Sequence, residues 1–167
     1  MESKQTIDIQ KVNEHFKITF TVFLALLSGM LMLFAVSLWL VRADEFVPNM
    51  DLDNVLQILI PLTGITMMFI SRMLYRNQVA KVAENTDLLS KLSFYRTFKI
   101  ISFALIEGAG FLALVGFMIT ANYLYVFVLV FLIGFLFMIK PSREGFVNDF
   151  NVSADESEII LRRNLSQ

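Results

Sequence analysis

Long apolar runs broken by short polar segments dominate the chain. Ile18–Val41 is twenty-four residues without a charge, and a second run covers about 55–75, with Gln57 near its start, Pro61 inside and Arg72 at its end. Beyond Lys99 come forty residues in which Glu107 is the only charged side chain. At about 20 residues per membrane-spanning helix, that block divides into two. Its polar cluster, Thr120-Ala121-Asn122-Tyr123, marks the break, giving spans at about 98–119 and 123–139. The short connection makes these two helices antiparallel neighbours. The expected fold is all-α, an integral membrane four-helix bundle.

Charge is segregated along this pattern. Lys4, Lys11 and Lys17 precede span one; Arg72, Arg76, Lys81, Lys91, Arg96 and Lys99 surround the middle loop; Lys140, Arg143, Arg162 and Arg163 follow span four. Arg42 alone lies on the other side, beside Asp44, Glu45, Asp51 and Asp53. The positive-inside rule therefore places both termini and the middle loop in the cytoplasm of an inner (plasma) membrane. The six basic residues from Arg72 to Lys99 are candidates for lipid-head or partner contact. The four acids lack the spacing and turn glycine of an EF-hand, so no metal site is expected, and Asp51 or Asp53 reads as a helix cap.

The segments outside the spans also look helical. Residues 1–17 place Ile9, Val12 and Phe16 on one face and read as an interfacial helix leading into the 18–140 transmembrane domain. Val79, Val82 and Ala83 continue the period of span two, Asn85-Thr86-Asp87 offers a cap, and Leu88, Leu89, Leu92 and Tyr95 repeat at helical spacing. A helical hairpin thus extends spans two and three. The 141–167 tail carries two amphipathic pieces: Phe146, Val147 and Phe150 share a side of the first, and Ser153-Ala154-Asp155-Glu156 is a capping box for a second at about 154–163. Such a tail lies on the membrane, packs under the bundle or binds a partner; its pattern does not choose.

Composition narrows the chemistry. Hydrophobic residues make up 56% of 167, above the ~45–50% of soluble domains. There is no cysteine, which removes disulfides, thiol nucleophiles and cysteine metal sites, and His15 has no second histidine for a zinc pair. The first apolar run is longer than a signal-peptide core and no small-x-small cleavage site precedes its end, so it is expected to stay uncleaved. Glu2 excludes myristoylation, and a cysteine-free carboxy terminus excludes prenylation.

Glu107 is the chemical outlier. It lies eight residues beyond Lys99, about 12 Å at helical rise, too deep for its side chain to reach the interface easily. Ionisable groups at that depth are expensive and often functional. No lysine, arginine or histidine lies at similar depth in another span, so a neutral carboxyl is expected. Ser28, Thr63 and Thr66 are candidate hydrogen-bond partners, and Gly108, Ala109, Gly110, Ala113 and Gly116 allow close helix approach. Glu107 is then a protonated packing residue, a carboxylate exchanging a proton or cation, or a contact for a lipid or small ligand. Pro61 is either a packing kink or a bend opening a cavity toward Glu107.

Ala104-Leu105-Ile106-Glu107-Gly108 with Phe111-Leu112-Ala113-Leu114-Val115 resembles the ion-binding helix of rotary ATP synthase c subunits, which implies a carboxylate carrying a proton or sodium ion. Span two lacks that family's glycine repeat, the gap from Arg76 to Glu107 is about three turns longer, and two further spans flank the hairpin. Tyr95-Arg96-Thr97, the Ala104–Gly108 motif, Thr120-Ala121-Asn122-Tyr123 and Pro141-Ser142-Arg143 together resemble a family of uncharacterised bacterial four-span proteins. That likeness implies an inner-membrane setting. The expectation is a non-enzymatic structural, assembly or partner-binding module, without cofactor or nucleic acid, whose partners are the bilayer and a homo-oligomeric copy or another membrane protein. The alternative is an oligomeric proton- or cation-coupled transport component using Glu107.

Overall fold

A computed structural model describes residues 2–43, 48–83 and 86–161, the first seven as backbone alone. The chain is all-α: α1 Glu2–Arg42, α2 Met50–Val79, α3 Leu88–Thr120, α4 Leu124–Met138, α5 Arg143–Phe150 and α6 Ala154–Leu161. α1, α2 and α3 are each long and apolar enough to cross a membrane. The fifteen-residue α4 reaches that length only together with α5, from which it is bent by 71°.

The bundle is organised around α3. Ser102, Phe103, Ile106, Ala109, Gly110, Ala113, Gly116, Phe117 and Thr120 form a buried stripe at three- and four-residue spacing. α1, α2 and α4 all pack on that helix, α2 also meets α4, and α1 and α2 pack mainly on α3 instead of on each other. Of its apolar stretch 50% lies inside, against 17% for α1 and for α2. What remains outside is strongly apolar: Phe69 and Phe127 are each 74% exposed. A contiguous surface of that kind would associate in water and is stable in hydrocarbon, so the protein is a multi-pass membrane protein.

Glycine sets the closeness of approach. A Cβ on Gly110 would lie 2.4 Å from the Met30 terminal methyl, and one on Gly116 would lie 2.3 Å from Ile60 Cδ1. These two positions let α1 and α2 settle onto α3. Gly108, by contrast, faces open space.

A second core lies at one end. Val12, Leu92, Tyr95, Phe146, Phe150 and Ile160 are buried together, with Phe16, Leu88, Val147 and Ile159 against them. The amino-terminal segment is continuous with the first span. No proline falls within residues 2–42 and Gly29 stays helical, so α1 runs on unbroken and buries Val12 in this lower core. The tail packs under the bundle by the same contacts. Its capping box forms as expected: Ser153 N–H donates to Glu156 Oε2 (3.1 Å), and Glu156 N–H to Ser153 Oγ (3.3 Å). Arg162 and Arg163 lie outside the described residues, as do Asp44 and Glu45.

The other boundaries follow local chemistry. Asp87 caps α3, accepting from Ser90 N–H at 3.1 Å. The cap of α2 is Asn49, not Asp51 or Asp53: its side chain accepts from Leu52 N–H at 3.1 Å. Asparagine is as good a cap as aspartate, and it stands where the helix begins. α2 passes through Pro61 without a break.

Candidate functional site

Glu107 sits near the middle of α3, half-buried, and points toward α1. A Cβ on Gly29 would be 3.8 Å from Glu107 Oε1. The absence of a side chain there leaves the carboxyl a niche in the α1–α3 seam. Among the described residues no hydrogen bond or ion pair reaches it. The hydroxyls expected beside it turn elsewhere. Ser28 Oγ donates to Ala25 O (2.9 Å), Thr63 Oγ1 to Leu59 O (2.8 Å) and Thr66 Oγ1 to Leu62 O (2.7 Å). Each satisfies itself on its own helix, the shortest route open to a helical Ser or Thr. Nor does Pro61 open toward Glu107. The cavity beside it, about 330 Å³, lies between α2 and α4 and is walled by Gly64, Phe127 and Phe131.

The basic residues divide into two groups. Arg72, Arg76 and Lys81 are exposed, whereas Lys91 is only 2% exposed and belongs to the interior of the lower end. Arg96 is half-buried. Lys99 reaches the carboxy-terminal end of α4: its ammonium donates to Ile139 O at 3.0 Å and lies 4.6 Å from the Tyr75 ring centre and 5.5 Å from that of Tyr95. A cation there offsets the partial negative charge of the helix end. Tyr75 in turn donates its hydroxyl proton to Asp149 of α5.

Two latches that sequence reading did not foresee hold the ends. At the basic end, the Tyr95 hydroxyl donates to Ser142 O (3.2 Å) and accepts from Ser142 N–H (3.0 Å), fixing the link into α5. Next to it, Arg143 donates to Ile160 O (2.6 Å) and to Asn13 Oδ1, with its guanidinium 5.2 Å from the Phe16 ring centre. Three chain segments meet there. At the opposite tip, Asn122 Nδ2 donates to both Asp53 oxygens (3.1 and 2.9 Å), Tyr125 Oη donates to Asp53 Oδ1 (2.6 Å), and Asn49 N–H donates to Ile119 O (3.2 Å). Asp53 thus ties α2 to the α3–α4 turn. The signal available in sequence was an acid in the first turn of one span opposite a polar turn at the same level.

No cluster of three metal-ligating side chains occurs among the described residues. No protein family, curated protein or solved structure matches the chain.

Proposed function

We propose that this protein is a non-enzymatic module of a bacterial inner membrane, with both termini and the basic end cytoplasmic, acting as a structural or assembly element for a membrane partner or further copies of itself. The observation that supports this reading most is how the polar residues are used. Asp53, Asn122, Tyr125, Tyr95, Ser142 and Arg143 all bond between segments of the chain itself. They act as fasteners and are not arranged as an acid–base or nucleophile pair. What the assembled body offers outward is apolar spans and an exposed basic edge.

A second reading rests on one observation. Glu107 is a carboxyl in an apolar helix, unbonded within the described chain and facing a glycine. Proton or cation exchange in an oligomer would use such a group. Reconstitution into liposomes holding an internal pH dye separates the two readings. The module predicts no Glu107-dependent proton movement under an imposed pH or sodium gradient. Movement that is present in the parent and lost in Glu107→Gln would establish the transport reading instead.

A further inference from the structure

Two cavities lie along the groove where α2 meets α4. Near the middle of α2 is the apolar one beside Pro61, Gly64, Phe127 and Phe131. Eight residues on from Gly64, about 12 Å at helical rise, comes Arg72. There the same two helices enclose a polar cavity of about 300 Å³ with α3 and α5, lined by Ser71, Arg72, Tyr75, Arg76, Lys99 and Asp149. Arg72 and Arg76 are one turn apart on α2, so both guanidinium groups lie on the face that borders the cavity. Three cations meet one carboxylate, and that carboxylate already accepts from Tyr75. The local balance is positive, at the level where the apolar spans give way to the basic end.

We propose that this groove is a binding site for an anionic phospholipid of the leaflet at the basic end. The headgroup phosphate lies against Arg72 and Arg76, with Lys99 behind them, and an acyl chain runs along α2 and α4 to the cavity beside Pro61. Charge complementarity selects the head: guanidinium groups present paired N–H donors that match phosphate oxygens. The apolar groove selects an amphiphile over a soluble anion, because a free phosphate would leave it unused. Met138, 77% exposed beside the polar cavity, offers apolar contact where head and chain join. This site rests on the reading of the protein as a membrane module with its basic end at an acidic leaflet.

The test uses the full chain in non-ionic detergent, with bound lipid counted by native mass spectrometry and competed with inorganic phosphate. Phosphatidylglycerol and phosphatidylcholine of identical chains share the phosphate and differ in net charge. The expected result is one retained phosphatidylglycerol, preferred about tenfold over phosphatidylcholine. That preference disappears in Arg72→Gln/Arg76→Gln and survives in Lys81→Gln, an exposed cation away from the cavity. Ile65→Trp, which fills the apolar cavity from an exposed position, weakens lipid retention while leaving the arginines in place. Equal retention of both lipids would reduce the groove to ordinary annular contact and overturn the proposal. Displacement by inorganic phosphate at the same concentration as lipid would assign the cavity to a soluble anion, and also overturns it. Neither result depends on proton movement in liposomes, so this site and the module reading fail separately.

Discussion

Ala121 holds the α3–α4 turn in a left-handed conformation, φ 55°, that side chains disfavour. That region costs an alanine about 1–2 kcal/mol, while glycine there loses about 0.5–1 kcal/mol more chain entropy. Ala121→Gly should therefore stabilise the folded protein by about 0.5–1 kcal/mol, read as a raised denaturation midpoint in detergent. Gly116 balances differently. An added methyl there meets the mobile end of Ile60, and alanine gains about 1 kcal/mol of helix propensity, so Gly116→Ala should be close to neutral. Gly116→Leu must also displace the Tyr125 ring, 3.5 Å from the new Cβ, and should cost about 1–3 kcal/mol by the same measurement. The small-residue stripe was legible in sequence, but which of its glycines face a neighbour was not. Gly108 and Gly110 are two residues apart and so point to different sides of the helix. The hydroxyl partners assigned to Glu107 went unmet because Ser28, Thr63 and Thr66 each have a carbonyl of their own helix within reach.

At the scale of elements, local chemistry was readable and cross-helix chemistry was not. The Ser153–Glu156 capping box, the Asp87 cap and the break at Thr120 each depend on a few adjacent residues. The Asp53–Tyr125 and Tyr95–Ser142 bonds depend on which helices become neighbours, which periodicity alone does not specify. α4 shows the limit of span counting. Fifteen residues rise about 22 Å, short of the roughly 30 Å hydrocarbon core, so α4 by itself falls short of a full span. The start of α3 gives a pH effect. The Ser90 side chain and backbone N–H hold the Asp87 carboxyl below its ordinary range. A depressed folded value means the cap's contribution is complete above the unfolded aspartate range and is lost as pH falls through the folded value. Amide exchange at Leu88–Lys91 should therefore speed up, relative to the chemical rate, on acidification below about pH 4. In Asp87→Asn, which keeps the cap without a titrating group, that local acid response should vanish.

As a whole, the molecule is a membrane bundle standing on a smaller core. The segregation of thirteen of fourteen basic residues to one side was visible in sequence, as were the four apolar runs. The lower core was only half visible. Its amphipathic pieces were recognisable, but their docking on Tyr95 and Phe16 needed the fold, because each ring edge found its partner across long sequence separation: Tyr95 and Phe146 are 5.3 Å apart between centres, and Phe16 and Phe146 are 6.0 Å apart. That docking makes the tail part of the body and leaves the exposed arginines of α2 at its rim. The central claim is that the apolar helices cross a bilayer with the tip on one side and the basic end on the other. The chain has no cysteine, so single cysteines can report this directly. Asp51→Cys and Tyr123→Cys at the tip, and Lys81→Cys and Lys140→Cys at the basic end, all replace exposed residues. With a membrane-impermeant maleimide, the account predicts labelling of the first pair in intact cells and of the second pair only after permeabilisation. Labelling of position 140 together with position 51 would show that α4 does not cross, and labelling of position 81 from outside would contradict the account.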